Sequence, residues 1–499
     1  MQKKTIPSPP KYLSVYDSSS QSHSTLCSFD SEPEPSQIFR SDFNYCYETP
    51  SKNNASHISL PRIMRTLSRI IVLTVALGAL PTAYSQNHPT IPSDGKVDIV
   101  NARSDSAGTR TPVINVYQIF IENAPKTFKK SGVPSFAIEG KEGKFYLGIG
   151  ATAKATVSYD WGDPIDNGFD FTTSDIPMNP RKGDGGLFQL SGATSGMYLN
   201  FVALPGDKNQ VGFYFDFNLT GNNYGFNLTY AYVKYRGITA GYDYSLFSDM
   251  AAAPPSIDYE GPCGFTAIPH GVLDYRHSIN SHWSFGVGAE MPMVSATTGD
   301  NTYTVNQRVP DIPAYIQYSW GGGKSWLRFS GIVRNMLYRD VTADKNRDIV
   351  GWGVKMSGSA SMTPFVTAYY QAAYGKGITS YFQDLYEGGL DMVPDAGCEG
   401  KLTAVKAWGG YLGLQYNISP KVYATTTYSH LRNYAPSYEG GSTPWDSQYK
   451  YAQYALANVI WSITPHISTG LEYIYGRRVD MNGNSHHDNR IQTMLQVTF

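Results

Sequence analysis

The last ten residues, Arg490-Ile-Gln-Thr-Met-Leu-Gln-Val-Thr-Phe499, alternate between apolar and mostly polar side chains. In a β-strand every second side chain points to the same face, so this alternation predicts a strand with one apolar face. Ten residues is also the length with which a tilted strand crosses a bilayer. The apolar face would carry Ile491, Thr493, Leu495, Val497 and Phe499.

The same period of two recurs upstream, in residues 145–159, 211–220 and 283–291. In each stretch one face is apolar and the other is rich in Gly, Ser, Thr and charged side chains, which is the pattern of a strand between lipid and water. A closing strand that ends on Phe is, in addition, typical of bacterial outer-membrane β-barrels. The repeated pattern indicates a transmembrane barrel.

The composition excludes several other classes of protein. A helical membrane protein needs runs of about 18 or more apolar residues, and the sequence contains none. Barrel strands expose only alternate residues to lipid, so a barrel stays polar on average, in keeping with 16% charged residues, 38 Tyr and 48 Gly. A net charge of −1 argues against nucleic acid as a partner. Four Cys in 499 residues are too few for a disulfide scaffold.

The N-terminal part differs from the rest of the chain. Residues 1–63 carry Ser, Pro and Asn clusters without apolar periodicity, and we interpret them as a non-native or disordered extension upstream of a true start at Met64. Residues 64–85 combine a basic start, a short apolar run and a small-residue cleavage site, which predicts a signal peptide. The alternative is a single N-terminal hydrophobic anchor. Residues 86–140 would then form a periplasmic lead-in.

Residues 141–499 should form the barrel, because short turns alternate with longer links, as periplasmic turns and outer loops do. Seven short turns and eight outer links give sixteen strands, and an even number leaves both barrel ends in the periplasm. We therefore expect an all-β, antiparallel, up-and-down transmembrane barrel of about sixteen strands. One misread hairpin would make fourteen or eighteen. The turns are expected near 205–210, 236–237, 280–282, 321–324, 361–364, 419–421 and 464–466.

A barrel of this size encloses an aqueous channel, whereas eight strands are filled by their own side chains. Charges on the lipid face would each cost about 2–4 kcal/mol at mid-bilayer, so strand charges should line the lumen. The candidates for lining the pore are Arg276, Arg328, Arg334, Lys355, Arg490, Asp243, Asp274, Glu290 and Glu472.

The arginines among these candidates suggest a pathway for anions. A guanidinium on a rigid strand can bind carboxylates through two hydrogen bonds, and anion channels use rings of Arg or Lys. The acidic candidates oppose this reading. It also stays open that all these groups are unspecialised wall charges that keep the pore wet.

The third outer link, residues 246–265, is long, apolar and rich in proline. A loop of this composition is unfavourable in open solvent. Folding inward would bury it, and would place Asp249, Asp258 or Glu260 near a constriction. The alternative is that it packs at a subunit interface or over the rim.

Two smaller signals concern cysteine and histidine. Cys263 and Cys398 both fall in outer links, where they are either joined as a disulfide or left as separate thiols. The pair His486–His487 lies in a polar loop, and we interpret it as solvated rather than as a metal site. We expect no metal, no cofactor and no catalytic residue.

Several short motifs carry a resemblance to a known family. Residues 241–249, 257–262, 308–313, 374–378 and 470–476 resemble segments of the DcaP-like trimeric outer-membrane porins, and the similarity spans most of residues 137–499. The resemblance implies a trimer of sixteen-stranded barrels that passes small anionic solutes such as dicarboxylates. An N-terminal coiled coil can precede the barrel in that family. Residues 86–136 contain no sustained heptads, and so depart from that pattern.

The sequence thus predicts a porin, not an enzyme, in the bacterial outer membrane. Its expected partners are outer-membrane lipid, small anions that diffuse passively through the pore, and two further copies of the chain. The alternative is a barrel with a closed lumen that acts as a hydrolase at its rim or as a surface-binding adhesin.

Overall fold

The computed structural model describes residues 98–101, 116–127 and 132–499. The predicted upstream extension 1–63 and the predicted signal peptide 64–85 lie outside the described residues. Within the described ranges, no helix is both long and apolar enough to cross a bilayer.

Sixteen antiparallel strands form a closed barrel, which confirms the predicted fold class. The last strand pairs with the first through eleven residue pairs, from Asp488 opposite Gly162 to Thr498 opposite Thr152. The strands are β1 Phe145–Gly162, β2 Gly186–Ser191 continued by Gly196–Ala203, β3 Val211–Gly221, β4 Gly225–Tyr235, β5 Ile238–Tyr244, β6 Pro269–Ser278, β7 Trp283–Glu290, β8 Ile312–Trp320, β9 Ser325–Asp340, β10 Lys345–Ser361, β11 Val366–Lys376, β12 Lys406–Ser419, β13 Val422–Asn433, β14 Tyr449–Ser462, β15 Ile467–Asp480 and β16 Ser485–Thr498.

The two faces of the wall follow the predicted alternation. In β16, Ile491 and Leu495 are exposed on the outer surface, whereas Arg490, Gln492 and Met494 are buried toward the interior. The alternation of side chains along each strand determines which of them face lipid. All of the charged side chains predicted to line the pore accordingly point inward.

The turns are also where the sequence predicts them. The short turns occupy 204–210, 236–237, 279–282, 321–324, 362–365, 420–421 and 463–466, and the opposite links 163–185, 222–224, 245–268, 291–311, 341–344, 377–405, 434–448 and 481–484. We call the two ends of the barrel the short-turn end and the long-loop end. The links 341–344 and 481–484 are short, because the flanking strands pair out to Asp340–Lys345 and Val479–Ser485.

The lumen contains a hydrophobic core of its own. Three links from the long-loop end, 163–185, 245–268 and 377–405, fold into the barrel and bury Phe171, Phe247 and Phe382 completely. An inward side chain therefore meets protein in much of the barrel rather than water. The short elements in these and other links are the 3₁₀ turns Thr173–Asp175, Asn222–Tyr224, Met250–Ala252, Thr379–Tyr381, Gln383–Leu385 and Trp445–Ser447, and the strands Thr302–Thr304, Met392–Pro394 and Leu402–Ala404.

The lead-in enters the other end of the barrel. Its helix α1, Val116–Asn123, packs against the inner face of β2 and β3. Strand Phe136–Glu139 pairs with β1, and Asp98–Asn101 pairs with that strand in parallel. A 3₁₀ turn, Lys141–Gly143, leads into β1. Helix α1 lies on the inner face of the wall because β2 and β3 present a docking surface there. The periplasmic location of residues 86–140 stays a prediction.

Candidate functional site

A cavity of about 560 Å³ extends from the short turns 204–210 and 236–237 to the infolded loop 245–268. Strands β3 to β9 form its wall, and the end of α1 forms one side. Six basic and four acidic side chains line it, so its surface is basic on balance. They are Lys126, Lys208, Lys234, Arg236, Arg276 and Arg328 against Glu122, Asp207, Asp243 and Asp249.

Arg276 of β6 is the more exposed of the two predicted arginines in this cavity. Its Nη2 atom donates to Oδ2 of Asp243 at 2.9 Å and to Oδ2 of Asp274 at 3.0 Å. About a third of the side chain, 34%, still faces the cavity. Its Nε makes no hydrogen bond within the described residues. The two carboxylates thus fix the guanidinium without using all of its donors.

Arg328 of β9 lies against the infolded loop. Nε and Nη2 both donate to the Gln317 side-chain oxygen, at 2.9 and 2.8 Å, and the guanidinium stacks on the Tyr315 ring at 4.3 Å. Nη1 donates to the Ser248 carbonyl at 3.2 Å and lies 3.6 Å from Asp249. The side chain is 17% exposed. A neutral amide accepts two of its donors, and Asp249 compensates part of its charge.

Asp249 is the constriction-loop candidate that the structure brings to this cavity. Its Oδ2 accepts hydrogen bonds from Trp326 Nε1 at 3.0 Å and from Ser357 Oγ at 2.8 Å. The side chain is almost fully buried. The carboxylate thereby ties the loop to β9 and β10, and its charge is partly offset by Arg328.

Arg334 and Arg490 also point inward, but both side chains have no exposed surface. Arg490 forms a two-pronged pair with Asp160, with both distances at 2.7 Å, and donates to carbonyls of link 163–185. Arg334 pairs with Asp311 and Asp391. The structure therefore places both arginines beneath infolded links, out of contact with the cavity.

Glu472, Glu290 and Lys355 likewise hold loop 245–268. Glu472 accepts the backbone N–H groups of Ile257 and Asp258 at 2.8 and 2.9 Å. Glu290 accepts the Leu246 N–H at 2.8 Å. Lys355 donates to Thr266 Oγ1 at 3.2 Å. The loop folds inward as predicted, since these wall groups satisfy its backbone.

The other two constriction-loop candidates lie farther along this loop. Asp258 is buried, accepts the Phe171 N–H at 3.0 Å and the Tyr454 hydroxyl at 2.9 Å, and its pKa is raised by burial. Glu260 is half-buried, and its backbone carbonyl accepts a hydrogen bond from Gln383. Neither residue lines the cavity described above.

The cysteines are not joined. Cys263 is buried beside Ser429, with Sγ 3.4 Å from Oγ, and Cys398 is exposed in link 377–405. The disulfide reading was therefore wrong, because the infolding of loop 245–268 carries Cys263 into the core while Cys398 stays at the surface.

The contact between links 163–185 and 377–405 predicts a dependence on pH. Asp384 accepts the Thr173 N–H at 3.0 Å, the Thr173 hydroxyl and the Tyr449 hydroxyl at 3.2 Å, and burial raises the pKa of Asp384 to about 7. An unfolded Asp titrates near pH ~4. The folded carboxyl thus holds its proton more tightly than the unfolded one. The free energy of unfolding therefore falls as the pH rises from ~4 to ~7, and it stays low at higher pH.

We expect proteolysis of these two links to accelerate over that pH range. Asp384→Asn should remove this part of the pH dependence, whereas Glu387→Gln, exposed in the same link, should retain it. Equal pH profiles for the wild type and Asp384→Asn would contradict the assignment.

Sequence reasoning missed several groups of the cavity. Lys234 follows the inward period of β4 and could have been found from the alternation alone. Tyr315 and Gln317 also face inward on β8, but the pore-lining candidates were selected by charge, and these two side chains are neutral. Lys126 comes from the irregular lead-in, where no period indicates which way a residue points.

A sequence profile of the porin subfamily matches residues 198–496. The chain belongs to the porin family. This porin is an outer-membrane channel, and that family and its fold imply a channel rather than an enzyme. Comparison with curated protein sequences gives no match.

A solved outer-membrane channel shares its fold. The outer-membrane channel DcaP of Acinetobacter baumannii is 21% identical, with a TM-score of 0.61 over 72% of this chain and 99% of DcaP. An anion-selective porin from Comamonas acidovorans is 11% identical (TM-score 0.46, 71% and 100% covered), and the trimer form of OmpT of Vibrio cholerae is 9% identical (0.45, 71% and 99%). The resemblance to DcaP-type porins is thus confirmed at the level of family and fold.

Proposed function

We propose that this porin passes small anionic solutes by passive diffusion. The observation that carries the proposal is the basic excess of the cavity, in which Arg276 and Arg328 keep exposed surface. Guanidiniums fixed on strands attract carboxylates without a cost in side-chain ordering. Asp243 and Asp249 offset part of the charge, so we expect a moderate preference rather than exclusion of cations.

Small dicarboxylates are the solute class that we propose. Arg276 and Arg328 line one cavity from different strands, so the two ends of a dicarboxylate can each meet a guanidinium. The resemblance to DcaP-like porins supports the same class.

The test is the reversal potential of the purified porin in planar bilayers under a KCl gradient. Anion preference, together with a concentration-dependent block of the current by succinate but not by an uncharged solute of equal size, is the expected result. Cation preference would overturn the proposal and shift control to the acidic loop residues. An absence of conductance would favour a closed barrel that acts as a hydrolase or an adhesin.

We further propose a homotrimer embedded in outer-membrane lipid. The resemblance to trimeric porins supports this state. Light scattering in detergent should give the mass of three chains, and conductance should appear in groups of three equal steps. A monomer in both measurements would contradict it.

A further inference from the structure

The helix of the lead-in is docked inside the barrel at the short-turn end. We call residues 116–127, which comprise α1 and the four residues after it, the luminal segment. Ile119 and Phe120 of α1 are buried in a cluster with Tyr146 of β1 and Val202 of β2. The helix is too short to be stable alone in water, so its contacts with the wall must hold it.

Polar groups of the wall hold the end of the helix. The last carbonyls of a helix have no partner within it and carry partial negative charge. Asn200 Nδ2 donates to the Phe120 carbonyl at 3.0 Å. The Asn123 carbonyl accepts hydrogen bonds from the Tyr232 hydroxyl at 2.8 Å and from Lys234 Nζ at 2.9 Å. Three side chains of two strands, β2 and β4, thus donate hydrogen bonds to the carbonyls at one helix end.

Two glycines of the wall leave room for the segment. A Cβ atom at Gly212 would lie 1.9 Å from Oδ1 of Asn123. One at Gly148 would lie 3.2 Å from Cζ of Phe120 and closer still to Pro134. Asn123 in turn donates from Nδ2 to Asn200 Oδ1 at 2.7 Å and to the Phe213 carbonyl at 3.1 Å. The inner face of β1–β3 is therefore shaped to the segment in both volume and hydrogen bonding.

The segment ends in the cavity of the candidate site. Lys126, three residues after α1, lines that cavity together with Arg276 and Arg328. Burial, followed by the charges of Arg328 and Arg276, lowers the pKa of Lys126. The three cations therefore share one compartment.

We propose that the luminal segment is a resident part of the channel that narrows its periplasmic mouth and adds the cation Lys126 to the compartment that Arg276 and Arg328 line. The narrowing stands on the docking geometry alone. The contribution of Lys126 to selectivity rests on the anion preference proposed above.

The first experiment tests residence by cross-linking in the outer membrane. Asn123→Cys with Gly212→Cys, made together with Cys398→Ser, should form a disulfide in most molecules. Asn123→Cys with Thr427→Cys, an inward position on the distant strand β13, should not. Equal and low yields in both pairs would overturn the proposal.

The second experiment tests the narrowing by single-channel conductance. Gly212→Leu fills the site of Asn123 and should raise conductance by at least about 1.5-fold, since current grows with pore radius. Gly331→Ala, a wall glycine away from the segment, should leave it unchanged. If Gly212→Leu does not fold, the variant with the disulfide between positions 123 and 212 replaces it. Oxidation should then hold the segment in place and suppress fluctuations of the conductance, and reduction should raise them. Unchanged conductance in each case would refute the narrowing.

The third experiment separates the two parts of the proposal. Lys126→Gln should lower the anion preference about twofold to fivefold, as loss of one nearby charge does, without the rise in conductance of Gly212→Leu. An unchanged reversal potential in Lys126→Gln would refute the role of Lys126. A wild-type channel without anion preference would instead refute the function proposed above, and the cross-link would still decide whether the segment is resident.

Discussion

Replacing Arg276 or Arg328 by glutamine should lower the preference for chloride over potassium about threefold to tenfold per arginine. A unit charge ~7 Å from a passing ion contributes about 2 kcal/mol at an effective dielectric of ~20, and salt screens part of it. Arg276→Gln should have the larger effect. It leaves Asp243 and Asp274 without the guanidinium that pairs with both carboxylates, so the local charge becomes more negative.

The reversal potential under a KCl gradient measures this change. Arg477→Gln is the matched control, because it removes the same charge from an exposed position that does not line the cavity. Arg276→Lys should keep most of the preference, since the charge is retained. Unchanged potentials in both glutamine variants would remove the two arginines from the conduction pathway and leave the basic turns 204–210 and 236–237 as the alternative.

Replacing Arg334 by leucine should release the infolded link 377–405. Arg334 donates from Nε to Asp311 at 2.8 Å, and from Nη1 to the Gly377 carbonyl at 2.7 Å and to Asp391 at 3.2 Å. Removing one partner of a buried charge pair costs about 3–5 kcal/mol, because the remaining charge stays desolvated. Here two carboxylates lose their cation together, so we expect the upper part of that range for the unfolding of this link.

Limited proteolysis and urea titration should detect the released link while β1–β16 stay folded. We also expect conductance to rise, since the link fills part of the lumen. Arg339→Leu, which breaks an exposed pair with Asp344, should change neither quantity noticeably. Wild-type protease resistance in Arg334→Leu would show that the apolar core around Phe382 suffices to hold the link.

The partly exposed arginines Arg276 and Arg328 and the buried arginines Arg334 and Arg490 also show which features the sequence predicts and which it does not. The alternation in β16 predicts that Arg490 points inward, and it does. The alternation does not predict which links fold into the lumen. Whether link 163–185 covers Arg490 depends on contacts between residues more than 300 positions apart. Strand number, turns and facing are local properties with a period of two, and for that reason they could be predicted.

The sequence predicts the position of loop 245–268 only in part. Its apolar, proline-rich composition correctly predicted that it folds inward, because burial of apolar surface does not depend on a particular partner. The position of each carboxylate along the loop does depend on partners. Asp249 lies at the cavity beside Arg328, whereas Asp258 accepts hydrogen bonds from the N–H of Phe171 and the hydroxyl of Tyr454 and is buried.

The pairing of β16 with β1 has a consequence for biogenesis. The ring closes only when residues 152–162 meet residues 488–498, so no intact barrel exists before the last strand has been synthesised and exported. Contacts of such large sequence separation form slowly. Until then, β1 and β16 each keep an unpaired edge beside an apolar face, which is a condition that favours aggregation. We therefore expect the unclosed chain to need shielding of its apolar faces until the ring closes in the membrane.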